Sequence, residues 1–235
     1  MIVQFGDSDE FSFRPWRPAD GRVLGDVFAI DTETVRIDEE RRWLVPAYVL
    51  GAAFDGRAGY FVTRECVGAF LTAHRGATVA MHNAAFDLAV LNAAAPGANV
   101  YDWLDVDSVY DTQLLHRLYA LGREGHAAAG PGESTLDRCA EVYLGVALAK
   151  GVKDSSGNEV RLSYARWLNR PPAEIEPVYL DYLAKDAVAT YRVFVTLYPL
   201  LDALVTAATG TWGFVSAAWL RAQVDRWGCR RTTSS

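Results

Sequence analysis

The sequence is poor in features that would place it in several common classes. Cysteine is scarce and unpaired: Cys66, Cys139 and Cys229 are an odd number with no CxxC or other ligand spacing. That excludes a disulfide framework and fits reduced thiols. An excess of positive charge is also missing. The net charge of −6 argues against a general nucleic-acid coat protein, which would carry a basic surface. It leaves open a protein that holds acidic ligands through metal ions, because metal-binding carboxylates make the balance more negative. The opening MIVQFGDSDEF is acidic and lacks the basic-then-apolar order of a signal peptide. The expectation is therefore a cytoplasmic, non-secreted protein (host cytoplasm if viral). Long clean apolar runs are lacking too. Ala203 to Leu220 is free of charge, but Thr206, Thr209, Gly210, Thr211, Gly213 and Ser216 interrupt it, so no membrane partner is expected. There is no internal repeat.

What is present is 235 residues, 51% of them hydrophobic, enough for one domain with a sizeable core. Residues 1–22, with Pro15 and Pro18, read as an irregular arm. A domain is expected over 23–209, and a C-terminal helix with a loose tail over 210–235. Strands are expected at VFAI, Tyr48–Phe54, Gly59–Val62 and Thr78–Met81, with a hairpin turn at Asp55-Gly56-Arg57. Helices are expected at Cys66–His74, Ala84–Ala95, Asp111–Leu121, Thr135–Leu144, Ser163–Leu168 and about Glu174–Leu200. Gly122 to Glu133 reads as a glycine-rich loop. Strands come first and helices mostly later, which predicts an α/β domain around a mixed sheet.

Three short segments carry the chemistry. In FAIDTET, Asp31 and Glu33 are two apart on a strand and project to one face, while Thr32 projects to the other. Two carboxylates about 4 Å apart repel by about 4 kcal/mol at an effective dielectric near 20. Solvent, a retained proton or a divalent cation would make the pair tolerable. An EF-hand loop does not fit, since Arg36 stands where that loop needs glycine. In HNAAFD, Asn83 reads as the N-cap of a helix that carries Asp87. In YLAKD, Tyr182 and Asp186 are i and i+4 and share a helix face. Each segment alone has an ordinary structural explanation.

Together, a strand-end D-x-E, a later N-x-x-x-F-D and a late Y-x-x-x-D resemble the DEDD superfamily of 3′–5′ exonucleases. The nearest likeness is to the proofreading exonuclease domain of family A DNA polymerases. The order agrees, with separations of 56 residues (31 to 87) and 99 residues (87 to 186). YDTQLLHRLY (Tyr110–Tyr119) and TLDRCAEVYLG (Thr135–Gly145) resemble that family's intervening segments, so the likeness spans roughly residues 24–200.

The resemblance implies a ribonuclease H-like fold: a five-stranded mixed sheet flanked by helices, its first three strands antiparallel. It implies two divalent cations, Mg²⁺ or Mn²⁺, held by Asp31, Glu33, Asp87 and Asp186, with Tyr182 orienting the attacking water. Asn83 and Thr32 are expected among the substrate contacts. The expected substrate is the 3′ end of single-stranded DNA, cut to nucleoside 5′-monophosphates in proofreading or end-trimming. Ribonuclease D-like RNA trimming and a non-catalytic binding module are the alternatives. The position where the superfamily's other branch has histidine is Asp181, and His74, His82, His116 and His126 are assigned ordinary packing or surface roles. Polymerase motifs do not occur, so any polymerase partner is expected to be a separate chain.

Overall fold

The computed structural model describes residues 1–106, 108–125, 132–149 and 151–211. Seven strands form one sheet: β1 (Ile2–Phe5), β2 (Asp9–Pro15), β3 (Val27–Thr34), β4 (Tyr48–Phe54), β5 (Ala58–Thr63), β6 (Thr78–Met81) and β7 (Val109–Asp111). Their spatial order is β1-β2-β5-β4-β3-β6-β7. The middle trio β3, β4 and β5 is antiparallel, while β6 and β7 run parallel to β3.

The sheet is thus wider than the expected five strands, and the difference lies at both ends. Residues 1–22 are not an irregular arm. Val3, Phe5 and Phe13 are buried while Ile2, Gln4 and Ser12 face out, a two-residue alternation that makes a half-buried hairpin. Strand β2 then pairs in parallel with β5, bringing Phe13 opposite Gly59. A Cβ on Gly59 would fall 2.2 Å from the Phe13 ring, so only glycine lets that ring lie over the strand. Pro15 is the last residue of β2, where a missing donor costs little. At the other edge, β7 has three residues, too few to signal themselves by alternation.

Helices cover both faces. Helices α1 (Val67–Ala73), α2 (Ala84–Ala94) and α3 (Asp102–Asp105) lie on one side, where Phe70, Leu88 and Trp103 pack with Phe28 and Ile30 of β3. On the other side is α6 (Pro177–Thr211), whose Tyr179, Leu183 and Ala187 pack with Leu50, Ala52 and Phe54 of β4. Strand β4 lies between the two layers and is buried along its whole length. This explains its unbroken apolar run. Helices α4 (Thr112–Glu124) and α5 (Leu136–Leu144) complete the domain against α6.

Boundaries shifted for physical reasons. Helix α6 begins at Pro177 rather than near Glu174, since proline's fixed φ suits the first turn. It runs on through Gly210 to Thr211, past the expected end. Gly122, expected in a loop, lies inside α4. A Cβ there would meet Leu204 Cδ2 at 2.7 Å, so glycine permits a close α4–α6 approach. Ser163–Leu168 makes a short 3-10 turn, Tyr164–Trp167, rather than an α-helix. The expected C-terminal helix and tail fall on residues outside those described, apart from the end of α6. Although α6 is long and apolar enough to cross a membrane, one side of it packs into the core against the sheet and against α4 and α5.

Candidate active site

Strand β3 is the element that sets the site. Its even-numbered residues Phe28 and Ile30 face α2, and its odd-numbered residues Asp31 and Glu33 face α6. Opposite them on α6 is Asp186, one helical turn beyond Tyr182. Ligand oxygens of Asp31, Glu33 and Asp186 all lie within 4.8 Å of one another. At Glu33/Thr34 the β3–β4 register shifts, a bulge that ends regular pairing just after the second acid. Bulges of this kind re-aim side chains beside sites.

Asp87 is not part of that trio. It is buried, 3% exposed, in the first turn of α2. Thr32 Oγ1, on the α2 side of β3, donates to Asp87 Oδ1 at 2.6 Å. The four acids therefore straddle one strand, three toward α6 and one toward α2. The hydroxyl of Thr32, a residue expected to touch substrate, is bonded to the Asp87 carboxylate and holds it in place.

The N-cap expected at Asn83 is made by another residue. Asn83 has φ 67 and its side chain caps nothing. Asp111, at the end of β7, accepts from the backbone N–H groups of Asn83 (3.1 Å) and Ala84 (2.9 Å). The same carboxylate accepts from Gln113 N (2.9 Å) and Leu114 N (3.3 Å). One buried acid thus caps the helices that begin at Ala84 and Thr112. The side chain of Asn83 is left exposed.

Electrostatically the cluster is strained. Burial pushes the Asp31 carboxyl well above the usual carboxylate range, and the Asp87 charge adds to it. Glu33 is raised by burial, then by Asp31, Asp186 and Asp87, with Arg161 offsetting part of this. Asp186 is raised by burial and Asp31, and the Tyr182 hydroxyl beside it pulls the other way. Asp87 is pushed up to about 7 by burial, against the Thr32 hydrogen bond. The Tyr182 phenol is itself held up by burial and the surrounding acids, so it stays protonated at neutral pH. A cluster of hard oxygen donors that cannot all ionise unaided suits divalent cations of the Mg²⁺ or Mn²⁺ kind.

Other aromatic and histidine side chains sort by burial. Trp103 and Tyr164 are core residues, and the Tyr164 hydroxyl donates to Tyr179 O at 2.8 Å. Trp43 is 76% exposed. His82 is half-buried, with Nδ1 against Thr112 Oγ1 at 2.8 Å, and His74 Nε2 accepts from Val23 N and Leu24 N. Both are packing histidines. His126 falls outside the described residues. Sequence reasoning missed Asp111, whose capping partners are 28 residues back, and Arg161, which carried no periodic signal.

A mixed sheet flanked by helices, with an inner strand that presents paired acids to a helix-borne acid, defines a ribonuclease H-like fold. Residues 67–202, more than half of the chain, match the family model described as 3′–5′ exonuclease, and the chain belongs to that family. The matched stretch contains Asp87, Tyr182 and Asp186 and starts after Asp31 and Glu33. Among solved structures, the chain is similar to the Aedes aegypti Nibbler EXO domain at 16% identity and TM-score 0.57, covering 88% of this chain and 89% of that one. Brucella melitensis NrnC is similar at 18% identity and TM-score 0.54, covering 95% and 98%. A structure of NrnC with bound Mg²⁺ is similar at 17% identity and TM-score 0.52, covering 94% and 96%. At these identities the likeness shows the fold. No curated protein matches the chain.

Proposed function

We propose that this chain is a metal-dependent 3′–5′ exonuclease that hydrolyses single-stranded DNA from its 3′ end to nucleoside 5′-monophosphates, in proofreading or end-trimming. The observation that carries the reading is the convergence of Asp31, Glu33 and Asp186 within 4.8 Å. These three would hold divalent cations, with Asp87 completing the set from the other side of β3. When bound, a pair of such ions lowers the pKa of the attacking water and stabilises the departing oxygen. A solved structure of NrnC, which shares the fold, has Mg²⁺ bound.

The chain's own residues supply orientation. Tyr182 keeps its proton, so its hydroxyl aligns the attacking water through a hydrogen bond and does not serve as a phenolate base. The water oxygen gives up a proton to solvent and bonds to phosphorus, the P–O3′ bond breaks, and the departing 3′ oxygen takes up a proton from solvent. Asn83, whose exposed amide makes no cap bond, would hold the substrate end.

The choice of DNA rests on the likeness of motif order to proofreading domains. A polymerase on a separate chain is the partner that choice implies. The test is a time course on a labelled single-stranded DNA and the matching RNA, with Mg²⁺, Mn²⁺ or chelator. Stepwise shortening of DNA, halted by chelator, is expected. Faster loss of RNA would overturn the sugar assignment, and intact strands under every condition would overturn catalysis.

A further inference from the structure

Past Glu33 the carboxylate centre opens into a cleft of about 480 Å³. One wall is the chain that leaves β3 after the bulge, bearing Arg36 and Arg42. The other is the 3-10 turn Val160–Leu162, bearing Arg161. All three arginines are exposed. Arg36 meets Glu39 at 3.5 Å and Arg161 meets Glu159 at 4.0 Å. Exposed pairs of that length bind weakly. Arg42 has no ion-pair partner among the described residues. The chain carries −6 overall, yet this cleft sets three arginines against Glu33 and Glu39.

Charge of that sign, continuous with a carboxylate centre, suits a polyanion whose end lies at the acids. The residue following Arg42 is Trp43, which is 76% exposed. A basic groove with an open aromatic ring nearby suits single-stranded nucleic acid, one for phosphate and one for a base face. We propose that Arg42 and Arg161 grip backbone phosphates of the substrate strand upstream of the scissile linkage, with Trp43 giving a stacking face to a base there. This rests on the exonuclease reading above and adds to it a strand path and a dependence on substrate length. A mononucleotide ester would not reach the grip; an oligonucleotide would.

The test is binding, measured by fluorescence anisotropy of a labelled single-stranded oligonucleotide in chelator at several salt concentrations. Each phosphate contact on a single strand contributes about 0.7 to the slope of log K against log salt. Arg42→Gln and Arg161→Gln are each expected to reduce the slope by about 0.7, and the double variant by about 1.4. Arg42→Lys and Arg161→Lys should keep it. Trp43→Ala should weaken binding roughly five- to 150-fold with the slope unchanged. With metal present, the ratio of the rate on the oligonucleotide to that on a nitrophenyl ester of a nucleoside 5′-monophosphate should fall in the glutamine variants. Glutamine variants that melt like the parent and keep its slope would overturn the proposal. If no strand is cut under any condition while the slopes still fall, the exonuclease reading fails and the grip stands.

Discussion

Thr32 and Asp87, 55 residues apart in sequence, are joined by a 2.6 Å hydrogen bond from hydroxyl to carboxylate. This bond fixes the acid that approaches the site from α2, on the opposite side of β3 from Asp31 and Glu33. Because Asp87 is buried, its carboxylate depends on that donor. Thr32→Val keeps the shape and removes the bond, and is expected to cost about 1–3 kcal/mol of stability at neutral pH. Urea unfolding of the metal-free protein measures it. An unchanged midpoint would show that the hydroxyl is dispensable.

The raised acids predict a stability slope with pH. An aspartate in the unfolded chain titrates near 4, whereas Asp87 in the fold is pushed up to about 7. Between those values the folded state holds more protons than the unfolded state, so stability falls as pH rises through about 7. Asp31, Glu33 and Asp186 are shifted in the same direction. His82, lowered to about 4 by burial, acts oppositely but only as pH falls below about 6.5. Thermal melts in chelator between pH 6.5 and 8 should therefore decline, and saturating Mg²⁺ or Mn²⁺ should flatten the decline. A flat or rising profile in chelator would contradict the cluster.

Asp31→Ala removes the acid nearest both neighbours in charge. Hydrolysis is expected to drop by at least about a hundredfold. The metal-free fold should be as stable as the parent or more so, since repulsion is relieved. Single-turnover rates and denaturant midpoints report the two effects separately. A variant that unfolds in metal-free buffer would assign Asp31 a structural role.

Tyr182→Phe keeps the ring and deletes the donor. Activity should fall about ten- to a hundredfold while calorimetric titration with Mn²⁺ stays close to the parent. An unchanged rate would mean that the hydroxyl does not orient water.

Asp111→Ala strips the cap from two helices at once. At roughly 0.5–2 kcal/mol for each cap, the loss should be about 1–4 kcal/mol by urea unfolding. It should also loosen the turn at Asn83, and hence the start of the helix that bears Asp87. A loss smaller than a single cap would show that water replaces the carboxylate.

What the sequence disclosed divides along local and nonlocal lines. The face shared by Asp31 and Glu33 follows from a two-residue period, and that of Tyr182 and Asp186 from a helical turn, so both were readable. The Asp87 position on a helix after β6 was readable for the same reason. Its separation from the trio was not, because it depends on which side of β3 each helix packs. Asn83 reads as a cap because asparagine before a helix usually is one; Asp111 takes those donors from a distant strand. The first hairpin was obscured by Pro15 and Pro18, although Val3, Phe5 and Phe13 already alternate. Arg161 sits on a 3-10 turn, where no periodicity distinguishes a ligand-facing arginine from a solvated one.

The bulge after Glu33 has an evolutionary reading. Because regular pairing with β4 ends there, a change of length between Val35 and Ala47 leaves the phase of β3, and so the shared face of Asp31 and Glu33, as it is. A deletion upstream of Thr34, by contrast, would turn the paired acids toward the wrong layer of the protein.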